Sequence, residues 1–280
     1  MTALSRAGMA PAPGSSSHPP TRQYKYEGLQ RTGGLRTDRN PTYTDWSVQK
    51  GKRFDVQSTV WADDLALEFK RGAVYGPLSF EVGHGLTVLC GPSGSGRTSL
   101  MLTLAGRMKP TSGSLTVLGQ ELPRRARRVQ KRTGISGFHD IDNLEDSVTV
   151  GAAIREREAW VSPWWAFIRA VDDTEVRRVC AAVFGDVPIP AADAVIWDLD
   201  EVQTVLLRAA LALMNEPSIL FFDQVEQVHS AESRRILWQR LAALVEGGTC
   251  VIASATAPDT ELWSELGIEP TVILMNKENR

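Results

Sequence analysis

The chain has 280 residues, 42% of them hydrophobic and 23% charged, with a formal net charge of −2. These proportions are ordinary for a globular protein and exclude a fibrous or low-complexity chain. The near balance of charge removes any global electrostatic pull towards DNA or RNA.

In chain order, residues 1–53 read as a disordered arm. Ala10 to Pro20 is rich in Pro, Ser and Gly, and Gln30 to Thr44 is polar. Such a segment buries too little apolar surface to offset its ordering entropy. Its Tyr24, Tyr26 and Trp46 leave open an anchoring role beside that of a solvated tail. From about residue 54 the texture changes. Val56 to Val82 has the pattern of an antiparallel β region. Leu86 to Cys90, Ser114 to Leu118, Ser218 to Phe222, Cys250 to Ser254 and Thr271 to Met275 are short apolar runs that predict buried strands. Thr98 to Met108, Glu201 to Met214 and Ser230 to Val245 carry helical periodicity. Strands separated by helices predict an α/β fold with a mostly parallel sheet. Residues 146–195 are mainly helical in pattern and predict an inserted subdomain. There is no internal repeat. Cys90, Cys180 and Cys250 are too few and too scattered for a disulfide framework, and Cys90 and Cys250 read as small core residues. No stretch reaches the ~18 apolar residues needed to cross a bilayer. The N-terminus lacks the continuous apolar core of a secretory signal. A cytoplasmic location is therefore expected, with any membrane span supplied by another chain.

One loop carries a phosphate-binding pattern. Gly91, Pro92, Ser93, Gly94, Ser95, Gly96, Arg97, Thr98 and Ser99 follow an apolar strand and open a helix. That is the context a P-loop requires. Its glycines let successive N–H groups point at one anion, and the helix N-terminus adds attraction. Thr98 is placed to offer its hydroxyl to Mg²⁺. Arg97 stands where a lysine is usual; it keeps the charge but is a planar fork rather than a compact ammonium. Altered or weakened nucleotide binding is expected, against the competing reading of a glycine-rich turn with no ligand. Asp223 ends the apolar run from Ser218, which is how a carboxylate is placed beside a phosphate site to hold Mg²⁺ through water.

The run Leu86-Thr-Val-Leu-Cys-Gly-Pro-Ser-Gly-Ser-Gly96, then Leu104-Ala-Gly106, then Pro110-Thr-Ser-Gly-Ser-Leu-Thr-Val-Leu-Gly119 resembles the ATP-binding cassette (ABC) family almost continuously. Leu78-Ser-Phe-Glu-Val82 is similar to the family's strand before the P-loop, so the resemblance spans roughly Val60 to Met275. It implies a P-loop NTPase domain with an antiparallel β region and an inserted helical subdomain. It implies ATP and Mg²⁺ as ligands, integral membrane subunits as partners, and pairing with a second cassette as a homo- or heterodimer. It also places Phe69 where the family stacks an aromatic ring on adenine, the alternative being a core Phe. The ladder from Arg124 to Arg132 matches a basic stretch common in the family, and a solvated surface is preferred over a nucleic-acid patch.

Several hydrolytic parts of that pattern are replaced. Leu199-Asp-Glu-Val-Gln203 stands where the family has Leu-Ser-Gly-Gly-Gln, bringing Asp200 and Glu201 towards a polyanion. Gln224 occupies the place of the catalytic glutamate, and an amide is no general base at neutral pH. Ala255 aligns with the switch histidine. Phe138-His139 lies where a glutamine loop begins, with His139 either a substitute or a surface residue. Val225 to Ser230 does not resemble the dimer-contact loop. Weak or absent intrinsic hydrolysis is expected, with no catalytic residue assigned. Trp160, Trp164, Trp165 and Phe167 concentrate aromatic area in the helical region. Docking of a membrane subunit, packing inside the subdomain and contact with lipid are the three readings. Three functions remain: an ATP-binding subunit of an ABC-type membrane complex, a non-hydrolysing scaffold that keeps the fold, and a soluble ATPase of DNA repair or translation. The last lacks a second cassette and a coiled-coil insertion, so no nucleic-acid partner is expected.

Overall fold

The structure is a computed structural model that describes residues 59–70, 72–163, 165 and 168–275. The expected arm over 1–53 lies outside the described residues, as do Trp164 and Phe167.

Strands β1 (Val60–Phe69) and β2 (Gly72–Val82) pair antiparallel, in the region where an antiparallel β pattern is expected. Strand β3 (Leu86–Cys90) leads into the loop and helix α1 (Arg97–Leu104). Strands β4 (Ser112–Val117) and β5 (Gln120–Leu122) follow, then helix α2 (Ala126–Gln130) and strand β6 (Thr133–Ser136). Helices α3 (Val150–Val161), α4 (Asp173–Phe184) and α5 (Glu201–Leu213) precede strand β7 (Ile219–Phe222). Helix α6 (Ala231–Glu246), strand β8 (Cys250–Ala255), helix α7 (Thr260–Leu266) and strand β9 (Thr271–Leu274) complete the order.

Two sheets result. One is antiparallel, in the order β2-β1-β4-β5; the other runs β6-β7-β8-β3-β9 with every pairing parallel. The parallel strands β3, β7 and β8 are buried at every position, as strands covered on both faces must be. Their side chains alternate between two cores. Leu86, Val88, Cys90, Leu220, Phe222, Val251 and Ala253 point to the helical side, where Val150, Ile154, Val176 and Phe184 of α3 and α4 join α5 and α6. Leu89, Ile219, Phe221 and Ile252 point to the other side, against α1 and the antiparallel sheet. The period of two along a strand divides the residues this way.

Helix α1 is shorter than the periodicity predicts. It stops at Leu104, because Gly106 turns left-handed at φ 71° and the amides of Gly106 and Arg107 bond back to the carbonyls of Thr103 and Leu102; the Arg107 side chain then donates to Ala105 O (3.1 Å) and Thr133 Oγ1 (3.0 Å). The chain there is used to tie α1 to β6 rather than to extend the helix. Helices α2 and α7 and strands β5 and β6 are too short for periodicity to reveal. All three cysteines are buried, and burial pushes the Cys90 and Cys180 thiols up to about 12.

Candidate phosphate site and its surroundings

Strand β3 delivers the chain into the loop at the carboxyl edge of the parallel sheet, where α/β folds place ligands. The Gly91 amide donates to the carbonyl of Ala255 (3.1 Å), and Ser95 N–H turns back to Pro92 O (3.0 Å). A side chain at Gly91 would put its Cβ 2.4 Å from the carbonyl oxygen of Met275. Gly96 caps α1 at φ 89°, and a Cβ there would lie 2.4 Å from Val74 O. Both positions therefore need glycine. No side chain caps α1 and its first turn holds no acid, so the first-turn amides remain for an external anion. Ser95 Oγ and Arg97 Nη1 are buried without a hydrogen-bond partner among the described residues. An orphaned hydroxyl and a cation without a hydrogen bond, in a glycine cradle, fit the oxygens of a phosphate chain.

Asp223 emerges from β7 fully buried beneath this loop. Thr98 Oγ1 donates to its Oδ2 at 2.6 Å, across 125 residues of sequence. Ser254 of β8 donates to Oδ1. A hydroxyl and a carboxylate thus meet beside the loop, the hard oxygen set that Mg²⁺ prefers.

The remaining sequence-predicted positions are placed as follows. Phe69 is 60% exposed at the end of β1, which overturns the core alternative and leaves an open ring face. Ala255 closes β8 and is buried. Gln224 adopts φ 57°, and its amide donates to Ser254 Oγ (2.9 Å). His139 is exposed and paired with Asp140 at 2.9 Å, the surface alternative of its two readings. Trp160 and Trp165 are 77% and 71% exposed, so packing inside the subdomain is corrected for these two. Their neighbours Val150 and Ile154 take the buried face of α3 instead.

Asp200 and Glu201 are engaged within the chain. Asp200 caps α5 in a capping box with Gln203, accepting from the Gln203 amide at 2.7 Å. Glu201 accepts from the main-chain amides of His229 (3.0 Å) and Ser230 (3.3 Å). The Ser233 hydroxyl and these amides hold the Glu201 carboxyl down at about 2. At the amino end of α5 the Gln203 amide is thus taken by Asp200, while Glu201 turns towards the segment before α6.

Two arrangements escaped the sequence reading. Arg97 is only 10% exposed and its Nη1 lies 3.6 Å from Glu226, which also accepts from the Thr256 amide. Arg208 of α5 grips Asp142 through both carboxylate oxygens (2.8 and 3.1 Å) and donates to Gln227 Oε1 at 2.7 Å. Gln227 Nε2 in turn donates to the carbonyls of Asp223 (2.6 Å) and Gly137 (3.1 Å). The network joins β6's exit loop, α5 and the segment after Asp223. Beside it runs a groove of about 420 Å³, lined among others by Arg107, Ile141, Leu144, Arg157, Trp160 and Arg208.

The family model of the ABC transporter matches residues 75–226, more than half of the chain. The chain belongs to the ABC transporter ATP-binding family. Among the curated relatives of this ABC chain, the Nod factor export ATP-binding protein I of Mesorhizobium japonicum is 30% identical over 212 residues, 71% of this chain and 56% of the relative. The protein of the same name from Cupriavidus pinatubonensis is 29% identical over 194 residues, covering 69% and 53%. The chain thus spans little more than half the length of the relatives it matches. The ABC fold is shared with a nucleotide-free ATP-binding cassette from an ABC transporter, at TM-score 0.62 and 15% identity over 78% of this chain and 88% of that one. It is also shared with cbiO1 from Clostridium perfringens, part of the ABC transporter complex cbiONQ, at TM-score 0.62 and 19% identity over 78% and 85%.

Proposed function

We propose that the chain is the ATP-binding subunit of an ABC-type membrane transporter, which grips Mg-ATP and hydrolyses it slowly or not at all by itself. The Thr98–Asp223 contact under the glycine loop is the observation that carries nucleotide binding. In this reading the amides from Gly91 to Ser99 cradle the phosphates and Arg97 supplies the positive charge. Thr98 and Asp223 hold the metal, and Phe69 stacks on the base. The Mg²⁺ supplies charge neutralisation at the terminal phosphates. The cassette occupies 54–280 with its helical subdomain at 146–195, and 1–53 is an arm. A second cassette, of the same or another chain, pairs with it.

Slow turnover is supported by three positions in the pattern. Gln224 cannot take a proton from water, Ala255 has no polar side chain to contact a phosphate, and Asp200, with Glu201 beside it, caps the amino end of α5 and brings negative charge where a partner's γ-phosphate would sit. Loss of a single general base costs about 10²- to 10⁴-fold in rate. The membrane partner sits in the groove beside Arg208, with Trp160 at its rim and Trp164 and Trp165 close by in sequence. The relatives' names extend this reading to an export system. The chain itself stays on the aqueous side, since no helix of the described residues is long and apolar enough to cross a membrane.

The test is titration calorimetry with Mg-ATP together with phosphate release. Measurable binding with phosphate release at least a hundredfold below that of a complete cassette is the expected result. Robust turnover by the unmodified chain overturns the slow-hydrolysis reading. Absence of heat at millimolar ATP favours the second reading, a scaffold that keeps the fold, which the self-capped amino end of α5 also supports.

A further inference from the structure

A strongly basic surface has no place in the nucleotide site. Arg124, Arg125, Arg127, Arg128, Lys131 and Arg132 are all exposed, six cations within nine residues. Helix α2 is held from beneath: Val129 is fully buried, and Gln130 Nε2 donates to the carbonyl of Gly106 at 2.6 Å. Ala126, Val129 and Gln130 recur at the helical spacing of three and four, so they share the inner face and leave the basic residues outward. Among the described residues no carboxylate forms a salt bridge with any of the six. Glu121, in the preceding strand, is the acid closest in sequence, and Arg132 spends one donor on Ser218 Oγ at 3.0 Å.

We infer that this face of α2 is a docking surface for anionic membrane lipid. The occupant follows from the form of the site. Arg124, Arg125, Arg127 and Arg128 line an open surface hollow and none of the six is buried, so they suit a diffuse field of charge and not one enclosed anion. No aromatic ring is interleaved with them to stack a base, as single-stranded nucleic acid requires. A membrane meets one face at a time, and beyond a screening length of about 8 Å the chain's acidic remainder is not felt. Clusters of four to eight basic residues at a membrane surface bind anionic headgroups in this way. The surroundings agree. Gly106, which holds α2, is followed by Arg107 in the wall of the groove whose rim carries the exposed Trp160. Glu145 and Glu156 also line that groove, so the attraction belongs to the ladder and not to the groove. The inference rests on the proposed role as a transporter subunit only in placing the chain near a bilayer.

The experiment is co-sedimentation of the full chain with vesicles of phosphatidylcholine alone and with 30% phosphatidylglycerol, at about 0.1 and 0.5 M salt. Binding to the anionic vesicles only, lost at the higher salt, is expected. A variant with Arg124, Arg125, Arg127 and Arg128 all changed to Gln should partition roughly tenfold or more weakly. The corresponding fourfold Lys variant should retain binding, since charge and not guanidinium geometry is read. Thermal unfolding of both variants checks that the exposed changes leave the fold intact. Equal binding to neutral vesicles, an unaltered glutamine variant, or a duplex RNA that displaces the vesicles at lower concentration would overturn the inference. Mg-ATP calorimetry on the same samples separates the two readings. Lost lipid binding with intact nucleotide binding removes only this one, and the converse removes only the nucleotide role.

Discussion

Arg97 shows how one substitution is answered by another side chain. A guanidinium in place of the P-loop ammonium is a planar fork and not a compact point charge, and its largely buried position demands a counter-charge. Glu226 provides it at 3.6 Å and is itself positioned by the Thr256 amide. The carboxylate then competes with any incoming phosphate for the same cation. Replacing Glu226 by Gln removes that competitor while keeping the amide contact possible. Calorimetry should show Mg-ATP binding about fivefold tighter, the order of one partly exposed ion pair. Weaker binding by E226Q would instead make Glu226 a helper of the nucleotide.

At the scale of elements, the amino end of α5 illustrates a trade between stability and chemistry. Asp200 caps the helix and Glu201 ties it to the segment before α6, so charges that spoil a phosphate contact stabilise the local fold. The stability they contribute depends on pH. The Glu201 carboxyl lies at about 2, below its ordinary 4.5, because the Ser233 hydroxyl and the His229 and Ser230 amides favour the charged form. A depressed value means that the contribution is complete above 4.5 and disappears as pH falls through about 2. The Glu201→Gln variant should therefore melt below the native chain at pH 6, with the gap closing as both are acidified to pH 2. A gap that is constant across this range would show that the carboxylate is not the source. Element ends also explain where the expected boundaries moved. Periodicity carries past Leu104, but the left-handed Gly106 closes the last turn of α1 through main-chain bonds to Leu102 and Thr103.

Across the whole molecule, the parallel sheet divides the apolar residues into two cores, and the helical side is closed at one end by a pair of tryptophans. Trp238 of α6 and Trp263 of α7 meet edge to face with centroids 5.3 Å apart, and Trp238 Nε1 donates to Asp259 at 2.8 Å. Both rings are almost fully buried. Trp263→Ala should cost about 3–5 kcal/mol and lower the melting temperature by roughly 10 °C, whereas Trp263→Phe should cost much less. An alanine variant that melts within a degree or two of the native chain would show that this end of the core collapses around the loss.

The sequence by itself determined whatever depends on neighbours along the chain. The P-loop was legible because its cradle is made of consecutive residues whose glycines act on their own backbone. The buried strands were legible because a parallel strand covered on both faces must be apolar throughout. The Asp223 partnership with Thr98 was inferred by reading a strand-ending carboxylate together with the P-loop, since nothing local joins residues 125 apart. Tertiary structure alone decided the rest. Arg97 found Glu226, Arg208 found Asp142 and Gln227, and Trp160 was left outside while Ile154 of the same helix went in. Ion pairs and exposure are properties of which surfaces meet once the chain is folded. Such contacts join residues far apart in the chain, and no single stretch of sequence contains both partners.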